Sequence, residues 1–556
     1  MRRVGLLIAF ISATILVTSN TVLASTPTRV SNGDPFTKCL VGGNGSALAY
    51  RSAEVEPWIA SNPANTNNLI GTWQQDRWSD GGAKGQVASW TFDGGRTWGQ
   101  TPQPFTTCAQ PFYGTRVLQY ERTSDPWVSI GPDGTAYAAS LPFDGDFIRN
   151  GLGVAVSQDG GKSWIRQQDL DPLIARPDTL DPTDDKESIT ADPLHAGWAY
   201  AVWDHFDDIF VCPAAASVAS PRASVKLGHS ANPNKRAAVT SSTPCAFKSQ
   251  SFFSRTTNFG KTWSKPNLIV PTGPFETTID NQILVNRQTG TLYNFYDFIN
   301  AAGENNIEMI FSHNRGATWS ERQHVQRMAT NEETNAACFC GVTEPGDTSE
   351  PLRTGDIVPS FAIDPNNGQL YTVWQDGRAN PDVTAQNDML FVSTSTAGGL
   401  PGTWSAPKRV NPPDVKAAFT AAINVNSSGQ VAITYYDFTP KSPTHSDVLP
   451  TDVWFVQTDG PGLDFGERQL IGGPFNMEAA PIARGFFVGD YSGLATSTGA
   501  QQTSNGNGGA DEASAFFPLF VMSNCRDTSC TGVGTLDGSP LGPDSTDAFI
   551  ATARGG

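Results

Sequence analysis

TFDGGRTW (Thr91–Trp98), SQDGGKSW (Ser157–Trp164), TTNFGKTW (Thr256–Trp263) and SHNRGATW (Ser312–Trp319) are four copies of one short pattern. A looser copy, STAGGLPGTW, runs from Ser395 to Trp404. Each follows a short apolar run: GQVASW, GVAV, SFF, IEMIF and MLFV. The physics of the pattern is local. An Asp or Asn side chain caps a turn, Gly supplies a positive φ, and Trp packs under the hairpin. Repetition of such hairpins predicts an all-β chain built from similar units.

A second repeat lies upstream of the first. One strand begins at an acidic or polar residue and ends near N-P, D-P or an equivalent turn: EPWIASNP from Glu56, DPWVSIGP from Asp125, KESITADP from Lys186 and VPSFAIDP from Val358. A second strand follows, ending in an aromatic and an Asp: GTWQQDRW, YAVWDHF, LYNFYDF, LYTVWQDGR and AITYYDF. The hairpin supplies strands three and four. Units of this kind start near Glu56, Asp125, Glu187, Thr277, Ile357, Phe419 and Phe487.

The hairpin pattern resembles the Asp box, S-x-D-x-G-x-T-W, of the sialidase superfamily and related propellers. The resemblance implies a single β-propeller of four-stranded blades over residues 25–556. The count is seven, with six as the alternative. The last unit lacks an outer strand, which Thr28–Phe36 is expected to supply, closing the sheet so that no edge is exposed. In this architecture the Asp boxes lie away from the axial mouth and are structural.

The strand order gathers other residues at the mouth. First-strand starts give Glu56, Asp125, Glu187, Asp356 and Asp490; second-strand ends give Asp76, Arg77, Asp204, Asp297, Asp376, Arg378 and Asp437. Trp73, Trp203, Tyr296, Trp374 and Tyr436 sit beside them. Carboxylates with aromatic rings suit sugar recognition, although each single Asp also suits a turn cap. Insertions are expected near 207–250, 329–354 and 525–545.

Sialidases bind a carboxylated sugar with three Arg and use an Asp acid/base and a Tyr nucleophile assisted by Glu. The resemblance places Tyr491, in Tyr491-Ser492-Gly493-Leu494, as nucleophile. Glu56 or Glu187 would take its proton, and Asp76 would be the acid/base. The chain departs from the pattern in three ways. The F-R-I-P-type signature is absent, Asp490 is not the usual neighbour of Tyr491, and enzymatic sialidases have six blades. Arg77, Arg353, Arg378 and Arg484 remain candidates for the Arg set, with Arg77 and Arg378 placed beside the strand-two carboxylates.

The N-terminus reads as a signal peptide over residues 1–24. Arg2 and Arg3 precede an apolar stretch, Gly5–Val17, and Val22-Leu23-Ala24 offers a cleavage site. The apolar stretch is too short for a membrane span, and no later segment is long enough. Secretion is therefore expected. The eight Cys, an even number, then suggest disulfides. Cys212 and Cys245 would pin the first insertion, whereas Cys338 and Cys340 are so close that a bond, two thiols or other partners all stay open. The formal charge of −17 argues against nucleic acid as partner. A glycan or glycoconjugate is the expected partner, and nothing sets an oligomeric state. No cofactor is required. Structural Ca²⁺ is a candidate at Asp181–Asp185 and Asp204–Asp208, where solvated loop charge is the alternative. The expected function is a glycoside hydrolase of sialidase type. The alternatives are a non-catalytic glycan- or protein-binding propeller and a polysaccharide lyase.

Overall fold

The computed structural model describes residues 23–43, 47–146, 148–174, 183–209, 246–329, 342–344, 347–379, 388–415, 417–438, 449–497, 515–523 and 545–554. Within them the chain is almost entirely strand. Four-stranded antiparallel meanders recur, for example Thr277–Val285, Leu292–Ile299, Asn305–Ser312 and Gln323–Met328. The first strands of successive units are Glu54–Ser61, Arg122–Ile130, Thr183–Ala191, Thr277–Val285, Ser360–Ile363, Ala418–Val425 and Gly493–Thr496. They touch in succession, and the last touches the first.

Burial follows position in the unit. The second strand Leu69–Arg77 is buried at every residue, as is Leu292–Ile299. Both faces of these strands are covered by neighbouring sheets, so they show no in–out alternation, and polar residues such as Gln74 and Gln75 are buried with the apolar ones. The fourth strand Gln323–Met328 buries only Val325 and Met328 and leaves its other residues partly or fully exposed, as expected at a rim. The cores lie between sheets. Val202 and Phe253 of one unit pack with Ile283 and Phe298 of the next, and Phe295 and Met309 pack with Leu370 and Trp374. Each such apolar side chain contributes about 1.5–3 kcal/mol by leaving water.

The hairpin turns are capped as their composition predicts. Asp93 Oδ1 accepts from the backbone N–H of Arg96 and Thr97, each at 2.9 Å. Asp159 Oδ1 accepts from Ser163 N at 2.9 Å, Asn258 Oδ1 from Thr262 N at 3.0 Å and Asn314 Oδ1 from Thr318 N at 2.8 Å. At the third residue of the turn only Gly fits. Gly316 has φ +81°, and a Cβ there would stand 2.3 Å from the Phe253 ring.

The two chain ends meet. Thr28–Arg29 pairs antiparallel with Thr546–Ile550, with Thr28 opposite Ile550 and Arg29 opposite Phe549. Arg29 also pairs with Asp547 at 2.7 Å. Beyond this, Phe36 is buried against Gly85, and Cys39 bonds to Cys108. The other six Cys, Asp181 and most of the three expected insertions lie outside the described residues, as do residues 1–22. One part of the second insertion departs from the loop expected of it. Val342–Glu344 and Asp347–Arg353 form a hairpin, and the latter strand runs parallel to Phe486–Phe487. Among the described residues no helix is long and apolar enough to cross a membrane.

A candidate axial site

Five first strands carry the same irregularity. The pairing with the second strand slips between Val55 and Trp58, Ser124 and Trp127, Asp185 and Ser188, Ile279 and Gln282, and Phe419 and Ala422. Each slip is a β-bulge, and in each a non-glycine residue holds a positive φ: Glu56 (53°), Asp125 (50°), Lys186 (44°), Asp280 (63°) and Thr420 (48°). Such a conformation costs on the order of 1–3 kcal/mol per residue and clusters at functional sites. At two further places Gly takes the positive φ. A Cβ on Gly489 would lie 2.9 Å from Glu56 N, and one on Gly355 would lie 2.4 Å from Asp490 O. The backbones there are too close for any side chain.

The bulges bring charge to one point. Lys186 Nζ lies 3.0 Å from Asp125 Oδ1, 2.9 Å from Asp490 Oδ2 and 3.4 Å from Glu56 Oε1. Its ammonium also sits 5.3 Å above the Tyr491 ring. Arg353 grips Asp490 with two bonds, Nε to Oδ1 at 2.9 Å and Nη2 to Oδ2 at 2.5 Å. The guanidiniums of Arg353 and Arg77 lie 4.6 Å and 5.0 Å from the Phe487 ring. Arg77 donates to Gln74 Oε1 at 2.6 Å, and Gln74 donates in turn to Glu56 Oε2. Asp125, Asp185, Lys186, Asp490, Arg77 and Arg353 line a cavity of about 260 Å³ to which Arg484 also contributes. None of the Asp-box turns lines it.

The environment separates the carboxyl groups. Burial raises Glu56 to about 7 even though Lys186 pulls it down. Burial also raises Asp125, against the same ammonium. For Asp490 burial is outweighed by Arg353 and Lys186, which hold it below the usual carboxylate range. Burial would lower Lys186, but Asp125, Asp490 and Glu56 together keep it well above its ordinary value. Burial lowers Arg77 to about 10.

The expected site residues divide into three groups. Glu56, Arg77, Asp125 and Asp490 converge as described. Glu187 and Tyr491 are buried next to them but do not line the cavity. Neither Glu187 oxygen has a hydrogen-bond partner among the described residues, and burial pushes its carboxyl well up. The Tyr491 hydroxyl donates to Pro126 O at 3.3 Å, and its ring stands against the stacked pair Trp58 and Trp127. The remaining residues sit apart from the cavity lining, each with local partners. Asp76 pairs with Lys84 at 2.9 Å, and Asp376 with Arg378 at 2.7 Å. Asp204 accepts from Thr278 and Asn281, Asp297 from Asn306 N, and Asp437 from Trp454 and Arg468. Asp356 is buried. Trp73 and Trp374 are core residues whose indole N–H groups donate to Gln75 and Asp376.

Lys186, Asp185 and Asp280 were not among the expected site residues, whereas Arg353 and Arg484, two of the four Arg candidates, do line the cavity with Arg77. For Lys186 a signal exists. Glu56, Asp125 and Lys186 each stand seven residues before the turn proline, at Pro63, Pro132 and Pro193, whereas Glu187 stands six before it. Bulge register, not charge type, selects the residue. Arg353 arrives on the hairpin inside the insertion, and no periodicity announced it.

No family model matches the chain, and no curated protein matches it. Among solved structures, the fold is similar to an α-L-arabinanase of Penicillium chrysogenum complexed with arabinobiose. The identity is 13% and the TM-score 0.42, covering 74% of this chain and 94% of that one. A Hadza microbial sialidase, Hz136, is 14% identical at a TM-score of 0.42, over 88% of this chain and 74% of that one. The NanB sialidase of Streptococcus pneumoniae, as its K499G mutant, is 10% identical at a TM-score of 0.40, over 96% and 99%. These are likenesses of fold.

Proposed function

We propose that the cavity around Lys186 is the mouth of a secreted carbohydrate-acting enzyme, a glycoside hydrolase on a closed seven-bladed propeller. One observation carries this: the buried carboxyl groups of Glu56, Asp125 and Asp490 converge on one ammonium beside the cavity. Glycosidic cleavage needs one carboxyl that holds a proton and another that stays ionised. Asp125, raised by burial, is the proton donor. Asp490, kept ionised by Arg353 and Lys186, attacks the anomeric carbon as the leaving oxygen takes the Asp125 proton, and water then hydrolyses the glycosyl ester with Asp125 acting as base. Both carboxyl oxygens lie within 3.0 Å of one nitrogen. They are therefore closer together than the roughly 6.5–9.5 Å that an inverting pair leaves for water, so retention of configuration is proposed. Arg77, Arg353 and Arg484 offer donors to hydroxyl or carboxylate oxygens of the substrate. In this scheme Tyr491 is a platform beneath Lys186. The disulfide and the leader-like N-terminus support secretion.

A second reading is a binding propeller without catalysis. Its support is that Lys186 and Arg353 are already matched by Glu56, Asp125 and Asp490. The test is one panel of fluorogenic glycosides, sialosides included, run alongside calorimetric binding to the parent sugars. Cleavage that disappears in Asp125→Asn while binding persists supports the hydrolase. Binding without cleavage supports the second reading. An unsaturated product would indicate a lyase, and neither binding nor cleavage refutes both readings.

A further inference from the structure

We propose that Asp171, Asp184 and His205 form a site for a divalent transition-metal ion of the zinc or manganese kind, independent of the axial mouth. The three residues come from different strands or their ends. Asp171 follows Ile165–Asp169, Asp184 opens Thr183–Ala191, and His205 lies in Ala199–Ile209. One ligand atom from each falls within 4.8 Å of the others. His205 Nδ1 is 2.9 Å from Asp184 Oδ1 and 3.8 Å from Asp171 Oδ2. Donors bound to one ion at about 2.0–2.2 Å stand roughly 3–3.5 Å apart, so small side-chain shifts suffice.

Two observations point to a ligand rather than to a chance meeting of charges. The Asp184 side chain is wholly buried and faces His205 through Oδ1, while its Oδ2 has no hydrogen-bond partner among the described residues. A buried carboxylate oxygen without a partner is costly, and a cation removes the cost. The imidazole is also oriented as a metal ligand is. Nδ1 faces the two carboxylates, while Nε2 faces Asp207 Oδ1 at 3.6 Å. A carboxylate behind the distal nitrogen is the usual support of a ligating His. Trp203 Nε1 fixes Asp171 by donating to its Oδ2 at 3.2 Å. His205 and Asp171 keep 14% and 19% of their side-chain surface exposed, which leaves an entry and room for water.

The nitrogen donor selects the ion. Ca²⁺ takes oxygen ligands, whereas imidazole with carboxylates suits zinc or manganese. The ion replaces the proton that His205 Nδ1 otherwise shares with Asp184. It ties the segment after Ile165–Asp169 to the next unit.

The test uses the full-length secreted protein stripped with EDTA. Titration with Zn²⁺ is expected to show one site, and Ca²⁺ to bind at least a hundredfold more weakly. With Mn²⁺, electron spin echo is expected to show coupling to an imidazole nitrogen. His205→Gln should abolish that coupling, and His205→Gln and Asp171→Asn should each weaken Zn²⁺ at least tenfold. Both residues are partly exposed, and circular dichroism checks that the variants are folded. Should either variant misfold, the nitrogen coupling and a Zn²⁺-dependent rise of the unfolding midpoint in the unaltered protein decide. Absence of a Zn²⁺ site, absence of nitrogen coupling, or unchanged affinity in both folded variants overturns the assignment.

Discussion

Replacing Lys186 by Met removes the ammonium shared by Glu56, Asp125 and Asp490, at 3.4, 3.0 and 2.9 Å. Met keeps most of the apolar stem, so the loss is electrostatic. Taking one partner from a buried ion pair costs about 3–5 kcal/mol because the remaining charge stays buried. Here the carboxyls can escape by taking protons, which makes the loss depend on pH. Burial sets Glu56 at about 7 in the folded chain, above its ordinary 4.5, while Lys186 restrains it. Without Lys186 both Glu56 and Asp125 rise further. A carboxyl raised on folding stabilises fully below its unfolded value and loses that contribution as pH rises through its folded value. Lys186→Met should therefore lose about 3–5 kcal/mol at pH 7.5 and markedly less at pH 5. Urea unfolding at both pH values, with the denaturant slope checked for constancy, measures this. A loss below about 1 kcal/mol at pH 7.5, or an equal loss at both pH values, refutes the shared-ammonium account.

Further outcomes follow from the same geometry. Glu56→Gln should flatten the fall in stability between pH 5 and pH 7.5, a slope that reaches about 1.4 kcal/mol per pH unit for one such group, and unfolding across that range shows it. Asp159→Ala removes the turn cap that Ser163 N and Ser163 Oγ satisfy, at 2.9 and 2.6 Å. It should cost about 1 kcal/mol by urea unfolding and leave saccharide affinity unchanged, since no Asp-box turn lines the cavity. Replacing both Cys39 and Cys108 by Ala opens a loop spanning a sequence separation of 69. Chain entropy then predicts a loss of about 4 kcal/mol, read from the same unfolding curves with and without reductant.

The sequence was most informative where its physics is local. The Asp and Asn of each box cap their turns because the cap needs only a side chain, a Gly and the next few residues. Strand character was equally legible, since second strands such as Leu69–Arg77 open on an apolar run and end on an aromatic and an Asp. The site was legible only in part. Glu56 and Asp125 could be found from the strand starts. Charge type favours Glu187 as the site residue, although the spacing to Pro193 marks Lys186 as the bulge residue. Trp73 and Trp374 looked like sugar platforms, yet each lies in an inter-sheet core, because the sequence pattern gives a strand's face and not its depth. Arg353 stood among four Arg candidates, but nothing local could single it out. Its position depends on a parallel pairing with Phe486–Phe487, more than a hundred residues away, that no local pattern encodes.

The central claim is that the Lys186 cavity acts on carbohydrate through Asp125 and Asp490. Turnover of a glycoside panel by the unaltered protein and by Asp125→Asn, with the product anomer followed by NMR, tests it most directly. The account predicts cleavage of at least one glycoside with retention of configuration, and a fall in kcat of about 10²–10⁴-fold in Asp125→Asn. Inversion, or turnover unchanged in Asp125→Asn, would contradict it.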